Sequence, residues 1–207
     1  MADEIVFYTN PQSRGVMTHW MLEEVGCPYR TVVKAFGPEM KSLDYLAINP
    51  MGKVPAIQHG DAVVTETGAI LAHLADAFPQ NKLAPPIGQR GAYYRWLFFV
   101  AGCGEPAMGN KAAGWDPSTP ELQVRFGYGS YKATMDTLEK AIADKRYIAA
   151  DHFTAADLYV ASLLNFGMMF NAIEKRPAFE AYVKPHLDRP AQQRAQEKAE
   201  QLMANTS

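Results

Sequence analysis

Two short stretches of this chain carry residue types suited to holding a small charged ligand. In Asn49-Pro50-Met51-Gly52-Lys53-Val54-Pro55-Ala56-Ile57, a proline falls inside a run that otherwise reads as a short buried strand over 54–58, and proline deletes a ladder hydrogen bond there. At the first residue of a strand it is tolerated, and a cis Val54–Pro55 bond turns the N–H and C=O of Val54 outward, where an extended ligand can pair with them as an added strand. The second stretch, Thr65-Glu66-Thr67, precedes an amphipathic run from Gly68 to Phe78 in which Ile70, Leu71, Leu74 and Phe78 share one face. Unpaired N–H groups and the positive end of the helix dipole make such a start a carboxylate receptor, and a threonine hydroxyl adds a donor. The same threonines also serve as ordinary helix caps.

These stretches need a frame. Glu4 to Tyr8 reads as a strand from its β-branched and aromatic content, Arg14 to Val25 as a helix with Val16, Met17, Trp20, Met21 and Val25 as its apolar stripe, and Gly26 as its stop. The polar turn Thr9-Asn10-Pro11-Gln12-Ser13 joins them. A strand over 29–34, a looser segment over 35–48, strands over 54–58 and 62–65 and a final helix complete a small mixed sheet covered by helices. Pro79 ends that helix and Pro85-Pro86 stiffens the link, placing a domain over 1–78, a linker over 79–86 and a second domain over 87–207. No convincing strand follows. Tyr94, Leu97, Phe98 and Ala101 share a helical face, as do Tyr131, Met135, Leu138 and Ile142. Gly102 to Pro106 is expected to break or bend the first of these helices. Thr154 and Asp157 form a capping-box variant, and helices over 174–186 and 190–204 close the domain.

With 207 residues, 48% of them hydrophobic, the chain can bury one or two cores. A net charge of -2 gives no reason to expect nucleic acid or an anionic membrane as partner. The densest apolar run, Trp96 to Ala101, is far shorter than the roughly 20 residues of a membrane span, and Ala2-Asp3-Glu4 is too acidic to open a signal peptide. Cys27 and Cys103 read as free thiols of a cytoplasmic protein. Neither has metal-ligand spacing, and no metal is expected.

The chain resembles the cytosolic glutathione transferases, bacterial members included. The resemblance rests on Asn49 to Pro55, the Glu66-Thr67-Gly68-Ala69-Ile70 helix start, the strand-loop-helix from Tyr8 to Gly26, and Phe153-Thr154-Ala155-Ala156-Asp157-Leu158-Tyr159-Val160-Ala161. It covers essentially the whole chain. It implies an α/β thioredoxin-like N-terminal domain with a cis proline at Pro55, an all-α C-terminal domain and a homodimer, with glutathione as co-substrate in detoxification chemistry. In that reading Val54 pairs its main chain with the cysteinyl unit, Glu66 and Thr67 hold the γ-glutamyl end, and Lys53 reaches the glycyl carboxylate.

Thiol activation is the demanding step. A thiol of pKa near 8.5 is only about 3% thiolate at pH 7, and lowering that value by roughly two units takes about 2.7 kcal/mol of preferential anion stabilisation. Ser13, immediately before the Arg14 helix, offers a hydroxyl and neighbouring N–H groups. Family classes differ in where the sulfur-contacting residue stands. One alignment sets Ser13 where beta-class enzymes have cysteine, another sets Asn10, with Thr9 beside it, where theta- and delta-like enzymes have serine, and Tyr8 corresponds in type to the tyrosine of the alpha, mu and pi classes. No cysteine stands within 8–26, which argues against a protein thiol forming a mixed disulfide.

The resemblance places the electrophile beside the sulfur in a cleft between domains, with Tyr94, Phe98, Met108 and Trp115 as candidates to line it and Glu105 facing it. The first functional reading is glutathione addition to hydrophobic electrophiles. Glutathione-dependent disulfide or peroxide reduction on the same scaffold is the second. A non-catalytic binding or assembly module is the third.

Overall fold

The computed structural model describes residues 4–204, so Ala2 and Asp3 of the acidic start lie outside the described residues. The elements run β1 (Ile5–Thr9), α1 (Gly15–Val25), β2 (Tyr29–Val33), α2 (Leu43–Ile48), β3 (Ala56–His59), β4 (Ala62–Thr65), α3 (Thr67–Ala77), α4 (Gly91–Phe99), α5 (Glu105–Ala112), α6 (Pro120–Arg125), α7 (Tyr131–Ile142), α8 (Ala155–Met169), α9 (Pro177–Leu187) and α10 (Pro190–Ala204). They form two compact units, one running to Lys82 and resuming at Arg189, the other Leu83–Asp188.

In the first unit the sheet order is β2-β1-β3-β4, with β1 parallel to β2 and the other two pairs antiparallel. Side chains alternate across β1. Phe7 packs on His19 of α1 at 5.5 Å between ring centroids, while Tyr8 meets Tyr45 of α2 at 5.7 Å, so helices cover both faces. The strand is accordingly apolar nearly throughout, with Ile5 and Phe7 fully buried. Close approach of α1 to the end of β1 depends on Gly15, where a Cβ would lie 1.9 Å from Thr9 Oγ1.

The segment over 35–48, read from sequence as loose, contains a 3-10 turn (Pro38–Lys41) and α2. A six-residue helix shows too few periods for a hydrophobic repeat, and its one local signal is Ser42, whose hydroxyl accepts from Tyr45 N at 3.4 Å. The strand expected from residue 54 begins at Ala56, one residue past Pro55. The last helix, expected with the helical domain, packs instead on α1 in the sheet unit. Ala191, Ala195 and Ala199 form its buried stripe, small enough for close helix contact. Charges pin the same seam: Glu23 accepts from Lys198 Nζ at 2.5 Å and Arg194 Nε at 3.0 Å, and Glu24 from Arg189 Nε at 2.6 Å. Burial pushes the Glu23 carboxyl up, but hydrogen bonds from Lys198, Tyr29 and Arg194 outweigh it and hold the group below its ordinary range.

The second unit is helical among the described residues. Its first helix does not break at Gly102: a π-helical segment, Val100–Gly104, carries α4 into α5, and Pro106 falls within the first turn of α5, where proline is tolerated. The buried stripe of α4 is Tyr93, Trp96, Leu97 and Val100 rather than the Tyr94 face. Both sets obey helical spacing in a run that is apolar on nearly every side, so periodicity could not choose between them. On α7 the expected face of Tyr131, Met135, Leu138 and Ile142 is buried. Asp157, fully buried at the start of α8, accepts from Ile148 N, Thr154 N, Thr154 Oγ1 and Tyr182 Oη, all at 2.7–2.8 Å.

Removing that carboxylate strands four buried donors, and Asp157→Ala is expected to lower unfolding free energy by about 3–5 kcal/mol in urea titrations. Glu23→Gln is expected to cost about 1–2 kcal/mol at pH 7. Because the folded Glu23 pKa is depressed, this contribution is present above the ordinary carboxylate value of 4.5 and is lost as pH falls through the folded value. Wild type and variant should therefore converge in stability at acid pH; a constant difference down to pH 3 would contradict the charged clamp.

Candidate functional site

Strand register brings the sequence-nominated stretches of the sheet unit to one edge. Tyr8 pairs with Ala56, and Ala56 pairs with Thr65, while Thr9 pairs with Val33 on the other side. The loop leaving β1 (Asn10 to Ser13), the residue pair entering β3 (Val54 and Pro55), the residue leaving β4 (Glu66) and the one leaving β2 (Lys34) therefore emerge at the same end of four adjacent strands. At about 4.8 Å per strand spacing, β1 to β4 spans roughly 10 Å, the scale of an extended tripeptide.

The loop after β1 is tied down at every step. Thr9 is buried and its carbonyl accepts from Lys34 N at 2.7 Å. Asn10, also buried, accepts from Gln12 N at 2.9 Å through Oδ1 and donates to the Lys34 carbonyl at 2.9 Å through Nδ2. Its own carbonyl accepts from Ser13 Oγ at 2.7 Å, and Ser13 Oγ accepts from Gly15 N at 3.0 Å. Asn10 thus acts as the spacer that sets the loop. Ser13 is half-buried at the front of α1 and holds a local turn; its proton reaches a ligand only by leaving the Asn10 carbonyl. Tyr8 is half-buried in the strand with its ring against Tyr45.

Before β3, the turn is built on Asn49. Its Oδ1 accepts from Met51 N at 3.0 Å, its carbonyl from Gly52 N at 2.7 Å, and its Nδ2 donates to the Lys53 carbonyl at 2.8 Å. Tyr45 Oη donates to the same Lys53 carbonyl at 2.6 Å. Gly52 sits at φ 56°, a conformation that side-chain-bearing residues rarely adopt. Burial, then the neighbouring Tyr8, pushes the Tyr45 phenol up to about 12, so it stays a donor at neutral pH. The Val54–Pro55 peptide is cis, Val54 lies before the first ladder pair, and the Lys53 side chain is exposed. Sequence reasoning missed Tyr45, for which no local pattern exists, and saw Asn49 only as part of a motif.

After β4, Glu66 takes φ 67° and ψ 122°, a strained conformation for a residue with a Cβ, costing about 1–3 kcal/mol. It occupies the N-cap position of α3 and makes no side-chain cap. Neither Thr65 nor Thr67 provides the side-chain cap expected of them. Ile70 N bonds to the Glu66 carbonyl at 2.9 Å, so the N–H groups of Thr67, Gly68 and Ala69 begin the helix without intrahelical acceptors. Thr67 is buried and Glu66 exposed. This start offers N–H donors and a positive dipole end to a carboxylate, with a carboxylate of its own for an ammonium.

In the helical unit, Tyr94, Phe98 and Trp115 are exposed, with Phe98 and Trp115 above 70%. Met108, nominated with them, is buried and belongs to the core: it lies on the inward face of α5 with Ala107. Glu105, expected to face a ligand, is half-buried and accepts from Tyr159 Oη at 2.9 Å, a tie between α5 and α8. Burial pushes the thiols of Cys27 and Cys103 up, leaving both weak nucleophiles. A cavity of about 700 Å3 in the sheet unit, lined by His19, Glu23, Tyr29, Arg194 and Lys198 among others, lies along α1, β2 and α10 rather than at the strand edge. Among the described residues no helix is long and apolar enough to cross a membrane.

Comparison with known proteins bears on this arrangement directly. Residues 4–76 match the model of the glutathione S-transferase N-terminal domain and residues 130–190 that of the glutathione S-transferase C-terminal domain. Glutathione S-transferase 1 of Schizosaccharomyces pombe is 31% identical over 156 residues, covering 70% of this chain and 67% of the yeast protein. A glutathione transferase crystal structure from Methylococcus capsulatus is 27% identical with a TM-score of 0.76, covering 94% of this chain and 98% of that one. A sphingomonad glutathione S-transferase complexed with glutathione is 25% identical with a TM-score of 0.74 over the same shares. With a thioredoxin-like sheet unit, a helical unit and both family domains matched, this chain belongs to the glutathione S-transferase family.

Proposed function

We propose that the protein binds glutathione along the strand edge and activates it as a thiolate that attacks hydrophobic electrophilic small molecules. The observation that carries this reading is the register that sets the Ser13 loop, Val54 and the Glu66-Thr67 helix start side by side. A tripeptide with two carboxylates, one ammonium and a thiol needs separated receptors in that order. Val54 supplies main-chain groups to the cysteinyl unit. Thr67 and the first N–H groups of α3 take the γ-glutamyl carboxylate, Glu66 takes its ammonium, and Lys53 reaches the glycyl carboxylate. The relative complexed with glutathione supports the ligand.

For the sulfur, Ser13 is the better-placed donor of the nominated residues. It stands half-buried at the N-terminus of α1, whose dipole favours an anion, whereas Asn10 and Thr9 are buried and Asn10 is engaged by Gln12 and Lys34. Hydroxyl donation and the helix end together supply the roughly 2.7 kcal/mol that a two-unit pKa drop requires. Tyr94, Phe98 and Trp115 remain available for an apolar co-substrate, and Met108 leaves that set. The same reading carries a homodimer and a cytoplasmic location, the latter supported by two free cysteines.

Two sets of variants test the assignment. Ser13→Ala is expected to raise the pKa of bound glutathione by about one to two units, read as thiolate absorbance against pH, and to lower kcat/KM with an aryl halide at least about tenfold at pH 7. Asn10→Ala should show its main effect as lost stability, about 1–3 kcal/mol. An unchanged thiol pKa in Ser13→Ala would move the sulfur donor elsewhere. Glu66→Gly relieves the strained backbone and removes the carboxylate, so it should raise stability by about 1 kcal/mol while weakening retention on immobilised glutathione at least about tenfold. Parallel assays with an organic hydroperoxide and a small disulfide separate conjugation from reduction, and failure of the wild type to bind glutathione at millimolar concentration would favour a non-catalytic role.

A further inference from the structure

We propose that His59 and His73 form a two-imidazole binding site for a borderline divalent transition-metal ion of the Ni2+ or Zn2+ type, on the sheet unit and separate from the strand edge described above. His59 is the last residue of β3 and His73 lies in the middle of α3, and His59 Nδ1 stands 3.1 Å from His73 Nε2. Two nitrogens at that separation, each at the roughly 2.0–2.1 Å of a metal–imidazole bond, subtend about 97° at a common ion, within the range that square-planar, octahedral and tetrahedral centres accept. Without an ion the same nitrogens can share only one proton between them. A metal replaces that proton and uses both lone pairs.

The surroundings favour this exchange. Both imidazoles are half-buried rather than enclosed, which leaves solvent positions for the remaining ligands. Phe78 stacks on the His59 ring, 5.7 Å between centroids and 12° between planes, and holds its orientation. Asp76 lies one turn along α3 from His73 and places a carboxylate on the same stretch of helix. The other three histidines do not offer such a pair. His19 and His186 are buried, and His152 is bonded to Asp151.

The ion would clip β3 to α3 across a separation of 14 residues. Binding to the folded chain alone raises its apparent stability by mass action.

Ni2+ in glutathione-free buffer is the probe, since free glutathione competes for metal. Calorimetry on the wild type is expected to show one site, and proton NMR of the Ni2+-loaded chain two strongly shifted imidazole N–H resonances. His59→Gln and His73→Gln should each weaken binding at least about tenfold and remove one of those resonances, while His152→Gln leaves affinity within about twofold. Melting temperature should rise with Ni2+ in wild type and His152→Gln but not in His59→Gln or His73→Gln. The last two must first match the wild-type circular dichroism, and should either unfold, His73→Asn takes its place. Absence of binding at 100-fold excess over protein, or unchanged affinity and resonances in both variants, would overturn the site.

Discussion

The pairing of Tyr8 with Ala56 and of Ala56 with Thr65 is the constraint on which the candidate site depends. Side chains of a strand alternate faces, so a slip of one residue between β1 and β3 would turn Phe7 or Ile57 out of the core and shift the ends of the two strands relative to each other. The buried apolar residues of β1 forbid that slip. Core packing and site geometry are therefore one specification. The side chains that exclude water from both faces of the sheet also align the ends of four strands spread over residues 5–65.

Around that edge the protein commits hydrogen bonds to the backbone rather than to an eventual ligand. The Lys53 carbonyl takes two donors, from Tyr45 and Asn49, and the Asn10 carbonyl takes three, the Ser13 hydroxyl and N–H and the Thr9 hydroxyl. Such multiply held carbonyls leave little freedom in the flanking residues, and rigid flanks reduce the ordering cost of binding. Glu66 shows the opposing tendency. Its backbone takes a strained conformation in which a glycine would be relaxed.

Much of this was legible in the chain itself. The βαβ start, the β-hairpin and the amphipathic α3 follow from alternation, stripe and stop signals, and the Asn49–Pro55 motif lies where β3 begins, beside the end of β1. What escaped reading depends on partners distant in sequence or on ambiguous periodicity. Tyr45 acts through a carbonyl eight residues away, from a helix too short to announce itself. In α4, aromatic residues fill both faces, and burial alone picks Tyr93 over Tyr94. The π-helical segment let the chain pass Gly102 without the break that its glycines imply. Among the residues nominated for an apolar ligand, spacing could not separate Met108, which is buried, from Trp115, which is exposed.

The ion pairs between α1 and α10 join residues as many as 175 positions apart. At a synthesis rate of about 5–20 residues per second, α1 waits on the order of ten to thirty seconds for the helix that covers it. During that interval the sheet and its first helices stand with one apolar seam and two acidic groups, Glu23 and Glu24, facing water. The charge on that seam has a consequence in time as well as in the finished fold: carboxylates flanking an uncovered apolar surface discourage association between nascent chains, and the arriving Arg189, Arg194 and Lys198 then cancel them.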